Sequence, residues 1–150
     1  MKDNSYAEKS MPEKCFLDTN LLIYTCDESD LEKQNTCIKF LEEIHIKAEP
    51  VISTQTLGEF FNVAYKKLKF SKEDAIVEVE RLANSFPVYE ITTENVLHAM
   101  KISKNTQFSY WDSLILAMAI DTGCSVLYSE DLNNGQEIEG LKIVNPLLSI

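Results

Sequence analysis

Residues 15–24 read Cys-Phe-Leu-Asp-Thr-Asn-Leu-Leu-Ile-Tyr, and this stretch decides the fold. Cys15–Leu17 is a short apolar run of the kind that makes a buried strand. Asp18-Thr19-Asn20 follows at once, with side chains suited to accept from the free N–H groups of a helix start. A buried strand that runs through a polar turn into a helix opens a βαβ unit. Working outward, further short runs at Pro50–Ser53, Val88–Ile91, Ser125–Ser129 and Lys142–Val144 read as strands. Helical patterns lie between them. Leu31–Lys47 carries Ile38, Leu41 and Ile44 inward. Leu57–Leu68 carries Leu57, Phe60, Phe61, Ala64, Tyr65 and Leu68 at core-facing spacing. A helix opened by a capping box at Ser71–Asp74 follows, with Ala75, Ile76, Val79, Leu82, Ala83 and Phe86 on its apolar face. Another runs near Thr93–Lys104, and Trp111–Asp121 is apolar almost all round, as in a helix buried on most of its surface.

Strands that alternate with helices, each connection long enough for a crossover, imply a mostly parallel sheet with helices on both faces. The expectation is a three-layer α/β/α sandwich with a five-stranded central sheet. The turn chemistry of Asn133–Gly135 and Glu139–Gly140 falls just before the last strand. A chain of 150 residues fits one domain, assigned to residues 14–150. Residues 1–13 are polar, mixed in charge, and read as a flexible extension with no secretory signal.

Composition narrows the function classes. Hydrophobic content of 45% and charged content of 25% are those of an ordinary globular protein, and no apolar run is long enough to span a bilayer. Cysteines 15, 26, 37 and 124 show no metal or redox spacing and are expected to be reduced thiols of a cytoplasmic protein. A net charge of −10 argues against the overall basic character usual in nucleic-acid binders, so any such contact must be local. Lys66, Lys67, Lys69 and Lys72 are the best candidates, against the alternative that they complement a helix dipole. Only four glycines are present and no phosphate-binding glycine loop occurs. His45 and His98 have no partner at metal spacing and are read as structural.

Four acids carry the chemistry. Asp18 and Asp131 follow strands, while Glu59 and Asp112 lie in the opening turns of helices. In an open α/β sheet these positions converge on one edge. Four carboxylates meeting there would repel one another unless cations were bound, and an oxygen-only set suits Mg²⁺ or Mn²⁺. Each acid also has a purely structural role available. Asp18 suits a helix cap, Glu59 and Asp112 fit the pattern Ser/Thr-x-x-Glu/Asp of a capping box, and Asp131 suits a turn. Asn20, Thr19 and Ser129 lie on the same edge, where they would orient water or phosphate.

At these residues the chain resembles the PIN-domain proteins, and among them the VapC-type ribonuclease toxins of bacterial toxin–antitoxin pairs. The resemblance runs from about Lys14 to Asn145. Residues 15–24 match the opening block with Asp18 as first acid. Ile52-Ser-Thr-Gln-Thr-Leu-Gly-Glu-Phe60 matches the second with Glu59, and Tyr110-Trp-Asp-Ser-Leu-Ile-Leu-Ala117 the third with Asp112. Leu127-Tyr-Ser-Glu-Asp-Leu132 matches the last, with Asp131 as fourth acid and Glu130 as its competitor. The resemblance implies a Mg²⁺- or Mn²⁺-dependent endoribonuclease with metal on Asp18, Asp112, Glu59 and Asp131. It also implies an RNA substrate, a cognate antitoxin protein and a homodimer. Two other readings stand beside it. One is a catalytically weak PIN-like module for protein binding. The other is a haloacid-dehalogenase-like phosphatase, whose motif requires a second aspartate where this chain has Asn20.

Overall fold

The computed structural model describes residues 13–148. Residues 1–12, nearly all of the expected extension, lie outside the described residues. Glu13 already belongs to the fold, because its carbonyl accepts from the Glu49 N–H at 2.9 Å. Six strands form one sheet: β1 (Lys14–Leu17), β2 (Glu49–Ser53), β3 (Val88–Tyr89), β4 (Val126–Tyr128), β5 (Glu137–Ile138) and β6 (Leu141–Val144). Six helices connect them: α1 (Thr19–Tyr24), α2 (Leu31–Lys47), α3 (Thr54–Lys66), α4 (Lys72–Ser85), α5 (Thr93–Asn105) and α6 (Tyr110–Asp121). The sheet order is β3-β2-β1-β4-β6-β5, all parallel except the β5–β6 pair.

Strand pleat divides the core into two. Phe16, Val51, Leu127 and Ile143 face α5 and α6, where Ala99, Ile102 and the run Leu114–Ala119 are buried. Their neighbours Leu17 and Ile52 face the opposite layer, against Leu22, Phe60, Ala64 and Ala75, with Phe40 and Leu41 of α2 packed alongside. Side chains of adjacent strand residues point to opposite faces, so the same short strands anchor both helical layers. The three-layer architecture is as expected.

The strand count is six rather than five. The added strand, β5, is only two residues long and pairs antiparallel with β6 through Ile138 and Leu141. Glu139 (φ 48°) and Gly140 (φ 86°) make the two-residue turn with both backbones in the left-handed region, the geometry that matches strand twist in a tight hairpin. Periodicity cannot register a strand of that length. At the other edge, β3 ends at Tyr89 instead of Ile91. There the chain turns to start α5, where the Thr92 N–H and hydroxyl donate to Asn95 Oδ1 at 2.8 and 2.9 Å.

Helix limits and faces also differ in places. α3 begins at Thr54, three residues earlier than expected, because the Thr56 hydroxyl accepts from the Ser53 N–H at 3.2 Å. The cap lies there and not at Thr56–Glu59. Cys37 is buried on α2, whereas Ile38, expected inside, is exposed. On α4, Ile76 and Ala83 face outward while Ala75 is fully buried. Helix α6 is buried from Ser113 to Ala119, but Trp111 in its first turn is 65% exposed. Of the capping boxes read at Ser71–Asp74 and Ser109–Asp112 the serine half forms, accepting from the N–H groups of Asp74 and Asp112 at 3.0 and 3.2 Å, without the reciprocal carboxylate bond among the described residues. His98 is structural: it bridges Asp121 and Glu139 at 2.8 Å each, tying α6 to the β5–β6 turn. All four cysteines are free, and among the described residues no helix is long and apolar enough to cross a membrane.

Leu116 is fully buried in the α6 layer. Leu116→Ala is expected to cost roughly 2–5 kcal/mol, whereas Leu97→Ala, at an exposed position of α5, stays within about 0.5 kcal/mol. Urea unfolding of both variants checks the layer assignment, and equal losses would contradict it.

Candidate active site

The chain leaves β1 for β2 and β3 on one side, then returns to place β4 on the other side of β1. The carboxyl ends of β1 and β4 therefore flank the point where the winding reverses, the usual binding crevice of such a sheet. Asp18 follows β1 directly. Ser129, Glu130 and Asp131 follow β4.

Asp18 is 8% exposed. One carboxylate oxygen accepts from the Thr19 N–H at 2.8 Å, capping α1, and the other accepts from the Ser129 hydroxyl at 2.7 Å. Ser129 Oγ in turn accepts from the backbone N–H groups of Asp131 and Leu132 at 3.2 and 3.3 Å. The capping role and the crevice position thus coincide. Burial pushes the Asp18 carboxyl up to about 6. The bonds from Ser129 and Thr19 oppose that rise, and the nearby Glu59 and Asp131 add to it.

Two more acids reach this group through neutral donors. The Thr19 hydroxyl donates to Glu59 Oε2 at 2.7 Å, and Gln55 Nε2 donates to Glu59 Oε1 at 2.8 Å. Asn20 donates its amide to Asp131. Asp18, Glu59 and Asp131, three of the four acids the sequence places on this edge, are thereby joined by Thr19, Asn20 and Ser129. Gln55, which donates to Glu59 from the preceding helical turn, is a full member of the set.

Glu130 is turned elsewhere. Tyr24 donates its hydroxyl to one carboxylate oxygen and Lys33 pairs with the other at 2.8 Å, its ammonium 4.1 Å from the centre of the Tyr24 ring. Burial pushes the Glu130 carboxyl upward, but the bonds from Lys33 and Tyr24 outweigh it and hold the group below its ordinary value. Between the two candidates for fourth acid, Asp131 is the one bonded to the Asp18 group.

Asp112 stands apart from the hydrogen-bonded set. Its backbone N–H is capped by Ser109, and its carboxylate has no hydrogen bond or ion pair among the described residues. The link between its helix and the other acids is Gln55, which reaches the Trp111 carbonyl at 3.4 Å. As the side chains stand, no group of three or more His, Cys, Asp or Glu among the described residues is placed to hold a metal ion. The donor chemistry nonetheless fits a hard cation, since every acid offers oxygen only. Gln55 Oε1 is buried without a hydrogen-bond partner beside Glu59, an acceptor that the water of a hydrated cation would satisfy.

The lysines proposed for nucleic-acid contact lie away from this edge. Helix α3 starts at the crevice and rises about 1.5 Å per residue, so Lys66 lies roughly 10 Å beyond Glu59 along its axis. Lys72 sits over the Tyr65 ring at 5.1 Å.

An open, mostly parallel sheet with acids at the carboxyl ends of its strands, beside the point where the winding reverses, defines a doubly wound α/β protein. The PIN domain family model matches residues 15–134, and the chain belongs to that family. No curated protein sequence matches the chain closely enough to count as a relative. Among solved structures it is similar to the DNA-bound VapBC complex of Salmonella typhimurium, at 24% identity and a TM-score of 0.64, covering 87% of this chain and 96% of that one. VapBC-1 of nontypeable Haemophilus influenzae is similar at 19% identity and a TM-score of 0.67, covering 89% and 98%. VapC20 of Mycobacterium tuberculosis, described as a Sarcin-Ricin loop cleaving toxin, is similar at 17% identity and a TM-score of 0.62, covering 78% and 89%.

The raised Asp18 carboxyl has a definite sign. The folded state holds this proton more tightly than the unfolded chain, so the contribution to stability is present below about pH 4. It is lost as pH rises to about 6. At about 1.4 kcal/mol for each tenfold step, the loss is roughly 3 kcal/mol. In chelator, Asp18→Asn is expected to melt higher than wild type near neutral pH, with the gap closing toward about pH 4. A gap independent of pH would show that Asp18 is not strained by burial.

Proposed function

We infer that this protein is a metal-dependent endoribonuclease that hydrolyses RNA phosphodiester bonds, acting in the cytoplasm as the toxin of a toxin–antitoxin pair. The observation that carries the reading is Asp18: a carboxylate buried at the sheet's switch point, raised toward neutrality, and neighboured by two further acids. A fold has little reason to bury an acid beside others unless a cation or proton is to be held there. The family and the similarity to VapBC structures support the same conclusion.

In this reading Asp18, Asp112, Glu59 and Asp131 hold Mg²⁺ or Mn²⁺. Held by these four carboxylates, such an ion would supply positive charge against the phosphate oxygens and lower the pKa of a water. The remaining work belongs to the chain. Ser129, fixed by two backbone N–H groups, keeps the Asp18 carboxylate in one rotamer. Thr19 and Gln55 do the same for Glu59 from opposite sides. Asn20 orients Asp131 and offers an amide to water or phosphate. Ordering of this kind lowers the entropic barrier to in-line attack. The protein partner is an antitoxin. A second copy is also expected, docking on exposed apolar residues of α2 and α3 such as Leu31, Ile38 and Tyr65.

A second reading has one observation in its favour. The absence of a ready chelate among the described residues suits a catalytically weak module whose task is protein binding.

Mg²⁺ or Mn²⁺ is expected to raise the melting temperature of the wild type, because binding to the folded state alone stabilises it. Asp112→Asn should keep its fold and lose RNA cleavage. If the variant cleaves as well as wild type, Asp112 is only a helix-start residue. If no divalent ion shifts the melting curve at millimolar concentration, the binding-module reading prevails. Light scattering should report a dimer at tens of micromolar, roughly the range in which a weak interface is occupied. A monomer at that concentration removes the homodimer from the account.

A further inference from the structure

The surface around the carboxylates holds few free cations. Lys33 is bound to Glu130, and the lysine cluster Lys66–Lys69 lies at the far end of α3. With a net charge of −10, attraction for phosphate is weak, so an RNA strand must be held by something other than charge. One side chain at this edge answers that need. Trp111 occupies the first turn of α6, next to Asp112, and is 65% exposed although the helix behind it is buried. Tyr110 packs against its ring edge-on, with centroids 5.0 Å apart and planes at 66°. Its backbone carbonyl accepts from Gln55 Nε2, the same amide that donates to Glu59. That bond ties the Trp111 backbone to the residue that holds Glu59, while most of the indole's surface stays open. Its open indole face offers a broad, flat apolar surface to a planar partner.

We propose that Trp111 is a stacking platform for an unpaired base of a single-stranded RNA substrate, positioning the strand against the carboxylate site. The proposal rests on the ribonuclease reading and adds the means of grip. Every base presents a π-face, so stacking is indifferent to sequence and draws its energy from ring contact and not from net charge. It also favours single-stranded regions, since a paired base is already stacked on its neighbours. Trp111 is a positioning residue: it holds the strand and takes no part in the chemistry.

The chain has a single tryptophan, so its intrinsic emission reports this ring alone. Titration of the wild type in Mg²⁺ with a phosphorothioate single-stranded oligoribonucleotide, resistant to cleavage, should quench that emission saturably. Raising salt should weaken the effect only slightly. Trp111→Ala should bind the labelled oligonucleotide roughly tenfold more weakly, the loss expected for one stacked base, and Trp111→Tyr should recover most of it. On cleavable RNA the alanine variant should show the same factor in KM with kcat little changed. Because the ring is exposed, the variants should melt as wild type does, and the quenching experiment needs no variant at all. Unchanged affinity and KM in Trp111→Ala, with cleavage intact, overturn the platform and leave the ribonuclease standing. A wild type that neither binds nor cleaves RNA overturns the ribonuclease reading and the platform with it. An emission change that follows protein concentration without RNA assigns the ring to a contact between copies, and the platform falls.

Discussion

The bond from the Ser129 hydroxyl to the buried Asp18 carboxylate joins the ends of β1 and β4 at the place where the sheet reverses its winding. A carboxylate taken out of water requires donors, and here it has two, one from the start of α1 and one from the loop after β4. The same serine oxygen accepts two backbone N–H groups, so the loop carrying Glu130 and Asp131 is folded around it. The direction of α1, the course of the β4 loop and the placing of Asp131 all depend on that one acid being satisfied. Buried polar groups of this kind specify a geometry more than they add stability.

From that centre the other contacts spread in a chain of neutral donors. Thr19 and Gln55 hold Glu59, and Asn20 holds Asp131. Hydroxyl and amide donors let acids approach without cancelling their charge, which a lysine or arginine in the same place would do. The contrast is on the next residue: Glu130 is neutralised by Lys33 and Tyr24. Two adjacent acids therefore have opposite fates. Glu130 braces α1 and α2 against the loop, while Asp131 is held by the Asn20 amide beside Asp18.

Much of this was legible in residues 15–24. An apolar run ending in Asp-Thr-Asn specifies strand, turn and helix, because each side chain has one favourable use there. The alternation of short buried runs with helical stripes fixed the layers, and the capping serines at 71 and 109 could be read directly. Grouping Asp18, Glu59, Asp112 and Asp131 followed from strand ends and helix starts sharing an edge, and of these Asp112 lies outside the hydrogen-bonded set. Elements without a local signal were missed. β5 is two residues long, and the true cap of α3 uses Ser53 and Thr56, three residues before the equally plausible match at Thr56 and Glu59.

What the sequence by itself determined is the set of elements, their layering and the residues able to do chemistry, since those follow from periodicity and from side-chain type. The tertiary structure alone decided which partners each group met. Whether Glu130 or Asp131 faces the crevice depends on Tyr24 and Lys33, more than ninety residues earlier in the chain. That Trp111 stays exposed on a helix buried from Ser113 to Ala119 depends on where the first turn of α6 leaves the packed layer. Such choices rest on distance and burial, which exist only once the chain has closed on itself.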